Sequence, residues 1–93
     1  MSTTSTTPYT LYLLRCSDGT LYTGITIDIK RRIDEHNTSA KGAKYTKSRR
    51  PCILVYNELL NTKSAALKRE MSIKKMTKAQ KESLLLTSTC AIL

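Results

Sequence analysis

Short, mostly apolar runs stand at residues 9–15 (YTLYLLR) and again at 21–25, each bounded by polar positions. Both runs are rich in the aromatic and branched residues that favour strands, and CSDGT between them is a turn signal, so a β-hairpin is predicted. Its register is open. A two-residue turn at Asp18-Gly19 places Tyr12 and Tyr22 on opposite faces of the sheet. A three-residue loop, Ser17-Asp18-Gly19, pairs Leu14 with Tyr22 and Tyr12 with Gly24, and both tyrosines then share one face. The second register requires Gly19 in a left-handed bulge.

The pattern then changes. Residues 29–37 (IKRRIDEHN) place Ile29 and Ile33 at i, i+4, which predicts a helix entered near Thr26 or Asp28. Arg32 and His36 fall on the same stripe. A cation and an imidazole on an inward face need a partner there; taken alone, His36 reads as a solvated histidine and Arg32 as a stripe-edge residue. Residues 38–50 (TSAKGAKYTKSRR) carry five positive charges and no acid around Gly42, and read as a mobile basic loop. Pro51 opens a third strand, 52–58. Residues 62–75 read as a helix whose apolar face carries Ala66, Leu67, Met71 and Ile73, with Glu70 as the inconsistent carboxylate in that row. Glu70 pairs with Lys74 at i+4 or faces inward as a ligand for a cation. Thr77 and Gln80 form a capping box for a last helix whose Leu84 and Leu85 can pack inward.

Composition narrows the function classes. Sixteen Lys and Arg against seven acids give a net charge of +9 in 93 residues. Such an excess implies a polyanionic partner, nucleic acid ahead of a membrane surface. Three dispersed cysteines, Cys16, Cys52 and Cys90, suggest neither a disulfide framework nor a zinc site. The opening MSTTSTTP has no signal-peptide pattern and no apolar run approaches a membrane span, so a cytoplasmic location is expected. The final CAIL spells a prenylation box, which matters only in a eukaryotic cell.

The inconsistencies point to one chemistry. Two strand tyrosines, Arg32 with His36, and Glu70 come from different elements and suit phosphodiester cleavage. A carboxylate can hold Mg²⁺, an arginine can clamp a phosphate, and a tyrosine can position water or, with its pKa lowered by cations, act as a base. TLY, then YTG ten residues after Tyr12, then an Arg eight residues past Gly24 and a His four further on, resembles the GIY-YIG nuclease superfamily in its small stand-alone branch. The resemblance implies an α+β fold, a three-stranded antiparallel sheet flanked by about three helices. It implies one domain over 9–86 between tails 1–8 and 87–93.

It also implies that Tyr12 and Tyr22 flank the reacting phosphate, that Arg32 is the catalytic arginine, that His36 matches a histidine of several branches, and that Glu70 binds the metal. The implied activity is metal-dependent endonucleolytic hydrolysis of DNA, including structured or damaged DNA, with one Mg²⁺ or Mn²⁺ per site. Lys41, Lys44, Tyr45, Lys47, Arg49, Arg50 and Lys74 are the expected nucleic-acid contacts. RNA is the second candidate substrate, a targeting protein a candidate partner, and no membrane is expected. Thr10 and Thr23 depart from the family triplets, and no asparagine follows Asn61. A non-catalytic nucleic-acid-binding module on the same scaffold is the alternative.

Overall fold

A computed structural model describes residues 8–87, and the N-terminal tail, Cys90 and CAIL lie outside the described residues. β1 (Tyr9–Arg15), β2 (Leu21–Thr26) and β3 (Ile53–Leu60) form one antiparallel sheet in the order β2-β1-β3. Four helices accompany it: α1 (Ile29–Thr38), α2 (Lys44–Lys47), α3 (Lys63–Lys74) and α4 (Lys78–Thr87). The fold is therefore the expected α+β class.

The hairpin takes the three-residue loop. Tyr12 pairs with Gly24 and Leu14 with Tyr22. Cys16 N–H donates to the Thr20 carbonyl at 2.9 Å, which closes the loop, and Gly19 has φ +86°. That left-handed conformation costs little only for glycine. The turn chemistry thus fixes which face both tyrosines occupy.

Side chains divide the sheet by its pleat. Leu11, Leu13 and Tyr56 pack on one face with Ile73 of α3 and with Leu84 and Leu85 of α4. Tyr12, Leu14, Cys16 and Cys52 pack on the other with Ile29 and Ile33 of α1. A register shift where β1 meets β3 at Leu13 and Leu14 lets Val55 join the first cluster and Leu54 the second. Cys16 and Cys52 are free, buried thiols with their Sγ atoms 3.4 Å apart. Burial pushes the Cys52 thiol up to about 12.

Caps set the helix boundaries. Asp28 accepts from the Arg31 amide to open α1, and Thr62 accepts from the Ala65 amide to open α3. The capping box forms at α4: the Thr77 amide donates to Gln80 at 2.9 Å and the Gln80 amide to Thr77 at 3.1 Å. Arg15 and Glu82 make two charge-assisted hydrogen bonds, at 2.5 and 2.6 Å, which fasten α4 to β1.

Two expectations need correction. The basic segment 38–50 is folded around the short helix α2, not an open loop. Its anchors are Arg50, whose guanidinium donates to the carbonyls of Glu35, His36 and Ser39, and Asn37, which exchanges two hydrogen bonds with the Cys52 backbone. The buried face of α3 carries Ala66 and Ile73, while Leu67 and Met71 are 43% and 59% exposed. The helix is turned so that Glu70, not Leu67, joins the inner row; its side chain is 18% exposed.

Candidate active site

Tyr12 is the centre of the arrangement. It stands in the middle strand and is 1% exposed, and its ring lies across Gly24 of β2. A methyl group at position 24 would sit 2.5 Å from the Tyr12 hydroxyl oxygen, so only glycine leaves room for that ring. The third position of YTG is explained by this contact rather than by backbone conformation. The Tyr12 hydroxyl lies 2.7 Å from Nε2 of His36.

His36 is not solvated. It is the one fully buried residue of α1, at 0% exposure. Burial, then the neighbouring Arg32 charge, lowers its pKa to about 4, so the imidazole is neutral at neutral pH. Both of its ring nitrogens have partners. The Ala43 amide lies 3.3 Å from Nδ1. The Thr46 hydroxyl gives its proton to the Ala43 carbonyl at 2.9 Å and turns its oxygen to Nδ1, while Nε2 is hydrogen-bonded to the Tyr12 hydroxyl. The Thr46 hydroxyl, 2.8 Å from Nδ1 and fully buried, completes the anchoring from α2.

Arg32 and Glu70 approach the same hydroxyl from α1 and α3. The Tyr12 pKa is raised, by burial first and then by Tyr22 and Glu70, while Arg32 opposes the rise. Both charged groups are thus within electrostatic reach of one phenol. Arg32 is held by Glu35 at 2.8 Å and by the Lys41 carbonyl at 2.9 Å, both through Nη1. Glu70 is paired with Lys74 at 3.3 Å. Among the described residues no three His, Cys, Asp or Glu side chains are grouped to hold a metal by themselves. Glu70 is the carboxylate whose charge reaches Tyr12, and a carboxylate is the kind of hard oxygen donor that divalent cations take.

Tyr22 is half-buried and touches each aromatic neighbour. Its ring centroid lies 6.4 Å from Tyr12, 5.2 Å edge-on from His36, and 5.8 Å from Tyr45, on which it stacks. Tyr45 in turn carries the Arg49 guanidinium 3.9 Å from its ring centroid, and Arg49 is tied to Asp18 at 3.0 Å. A continuous stack therefore leads from the surface to the buried tyrosine.

The expected nucleic-acid contacts separate into two groups. Lys41, Lys44 and Lys47 are exposed on and before α2, close in sequence to exposed Tyr45 and to Arg49. Arg50 has its donors turned onto the α1 carbonyls and Lys74 lies on Glu70, so neither stands free for a phosphate. Sequence reasoning missed Thr46 and Ala43. A threonine between a tyrosine and a lysine in a basic stretch gives no signal of burial, and an amide gives none at all.

The chain belongs to the GIY-YIG family, whose catalytic-domain model covers residues 8–83. It is 55% identical over 78 residues to a UPF0213 protein of Desulfotalea psychrophila, covering 84% of this chain and 71% of that one. Identity to a Halobacterium salinarum UPF0213 protein is 50% over 74 residues, 80% of this chain and 95% of that one. Among solved structures, the solution structure of a UPF0213 protein from Bacillus halodurans is 40% identical, with a TM-score of 0.58 over 87% of this chain and 85% of that one. A protein from E. faecalis is 44% identical, with a TM-score of 0.62 over 86% of this chain and 84% of that one. Membership places the chain in a nuclease superfamily. Among the described residues no helix is long and apolar enough to cross a membrane.

Proposed function

We propose that this protein is a metal-dependent endonuclease that hydrolyses phosphodiester bonds in DNA. The observation that carries the proposal is the convergence of a buried tyrosine–histidine pair, an arginine and a carboxylate from three elements on one hydroxyl. A structural role alone does not call for it, because burying a histidine and charging its surroundings are both costly.

Each residue then has a task. Arg32, fixed by Glu35 and the Lys41 carbonyl, presents its remaining N–H groups to phosphate oxygens and stabilises the charge that grows as water attacks. Neutral His36 is hydrogen-bonded to the Tyr12 hydroxyl and holds that ring over Gly24. Tyr12, whose raised pKa keeps it protonated in the free protein, positions the reacting phosphate or water. Tyr22, more exposed than Tyr12, meets the attacking water. Glu70 fits a single Mg²⁺ or Mn²⁺, since such ions are ordinarily held by one or two carboxylates with water and substrate oxygens. A bound ion would neutralise phosphate charge and support the leaving oxygen. Lys41, Lys44, Lys47, Tyr45 and Arg49 line the approach, giving salt-sensitive contacts that carry little sequence information.

A non-catalytic binding module on this scaffold is the second reading, favoured by the Lys74 ion pair that already neutralises Glu70. A cleavage panel of single-stranded, duplex, branched and damaged DNA, with RNA counterparts, separates the two. The endonuclease reading expects cleavage of at least one DNA substrate in Mg²⁺ or Mn²⁺ and none in chelator. Tight binding with no cleavage of any substrate in either metal would leave only the binding module.

A further inference from the structure

The stack and the basic segment account for the α1 side of β2. On the other side of the same edge strand lies a cleft of about 170 Å³, lined by Thr20, Leu21, Lys78 and Lys81. It contributes nothing to the site just described. Leu21 and Tyr22 are consecutive in β2, so their side chains leave the strand on opposite faces, a few ångströms apart along its edge. The sheet order leaves β2 unpaired on its outer side.

The cleft has a nucleotide's chemistry. Its floor is apolar, from Leu21 and the lysine stems, and two ammonium groups stand at its rim. Lys78 and Lys81 are three residues apart on α4 and so share a face. Among the described residues neither makes an ion pair within 4 Å; the Lys78 ammonium touches only the Gly19 carbonyl, at 3.4 Å. The nearby carboxylate, Glu82, feels the Lys78 charge but is bound by two nitrogens of Arg15 and makes no ion pair with either lysine. The capping box holds the first turn of α4 in place, which fixes where both lysines emerge.

We infer that this cleft is a second nucleic-acid subsite, which takes the phosphodiester and sugar of a nucleotide flanking the one at Tyr22. The substrate strand then bends around the free edge of β2, held by the α2 lysines on one face and by Lys78 and Lys81 on the other. The inference rests on the nuclease reading for its substrate, and it extends the footprint to a face opposite the tyrosines.

The test compares two charge-matched pairs. Lys78→Gln/Lys81→Gln removes the cleft charges; Lys30→Gln/Lys63→Gln removes two exposed lysines elsewhere. Binding of a labelled duplex oligonucleotide is followed by fluorescence anisotropy in chelator across a salt series. The cleft pair is expected to weaken binding about tenfold at low salt and to lower the salt slope by about two phosphate contacts, with the control pair changing affinity less than threefold. Equal effects from both pairs, or no effect from the cleft pair, would overturn the inference, as would a parent that does not bind DNA. Loss of binding in the cleft pair with a parent that never cuts supports the subsite and rejects the nuclease reading. Normal cleavage with unchanged binding does the reverse.

Discussion

The two faces of the sheet use the same strands for opposite purposes. Under α3 and α4, Leu11, Leu13, Tyr56 and Ile73 make an ordinary apolar core. Under α1 and α2, Tyr12 and Tyr22 meet a buried histidine that a buried threonine holds in place. Alternation in a pleated strand makes this division possible: Leu13 belongs to stability, and Tyr12 and Leu14, its neighbours, to the site side. The lesson is that a small domain can bury a polar network if the opposite face supplies the hydrophobic energy.

The comparison breaks most visibly on the apolar side. Leu13→Ala is expected to destabilise the fold by about 2–5 kcal/mol, measured by denaturant unfolding. The same experiment on Arg32→Ala should move stability far less.

Acid should sharpen the contrast next. His36 has an ordinary value of 6.5 and a folded value of about 4. Above 6.5 both folded and unfolded chains carry a neutral imidazole. Between 6.5 and about 4 only the unfolded chain takes up a proton, so stability falls as pH falls, by on the order of 3 kcal/mol across that window. Unfolding curves of His36→Gln against pH should lack this part of the slope. An equal slope in parent and variant would mean that the imidazole is not buried neutral.

Gly24→Ala tests the geometry rather than the charge. Its methyl must displace the Tyr12 hydroxyl, and a displacement of that size costs about 10²-fold in cleavage rate. Circular dichroism should remain close to that of the parent.

The smallest effect belongs to the middle of the second triplet. Thr23 faces the apolar side, is 3% exposed, and its hydroxyl has no hydrogen-bond partner. Thr23→Val should therefore stabilise the protein by about 1 kcal/mol and leave cleavage unchanged.

Much of this was legible in the chain. The two candidate registers of the hairpin were legible, but only the folded loop, with Gly19 left-handed, decides that Tyr12 and Tyr22 share a face. The inward placing of Arg32 and Glu70 could be read from their positions in apolar rows. What escaped depends on contacts across the fold. His36 is buried because α2 brings Thr46 and the Ala43 amide onto its ring, and no local pattern announces that. α3 exposes Leu67 and Met71, which apolar periodicity assigned inward, because Arg69 on its inner side pairs with Glu58 of β3 at 2.9 Å and Glu70 is turned toward Tyr12. Arg50 looked like one of a basic run, yet three carbonyls at the end of α1 claim it.

The central claim is that Arg32 and Glu70 meet at the tyrosines to cleave DNA. The most direct measurement is the single-turnover cleavage rate of Arg32→Ala and Glu70→Gln in Mg²⁺, on a substrate the parent cuts, with folding checked by thermal unfolding. The account predicts that each variant loses about 10²-fold or more of the rate while unfolding near the parent's temperature. Two folded variants that cut as fast as the parent would contradict it.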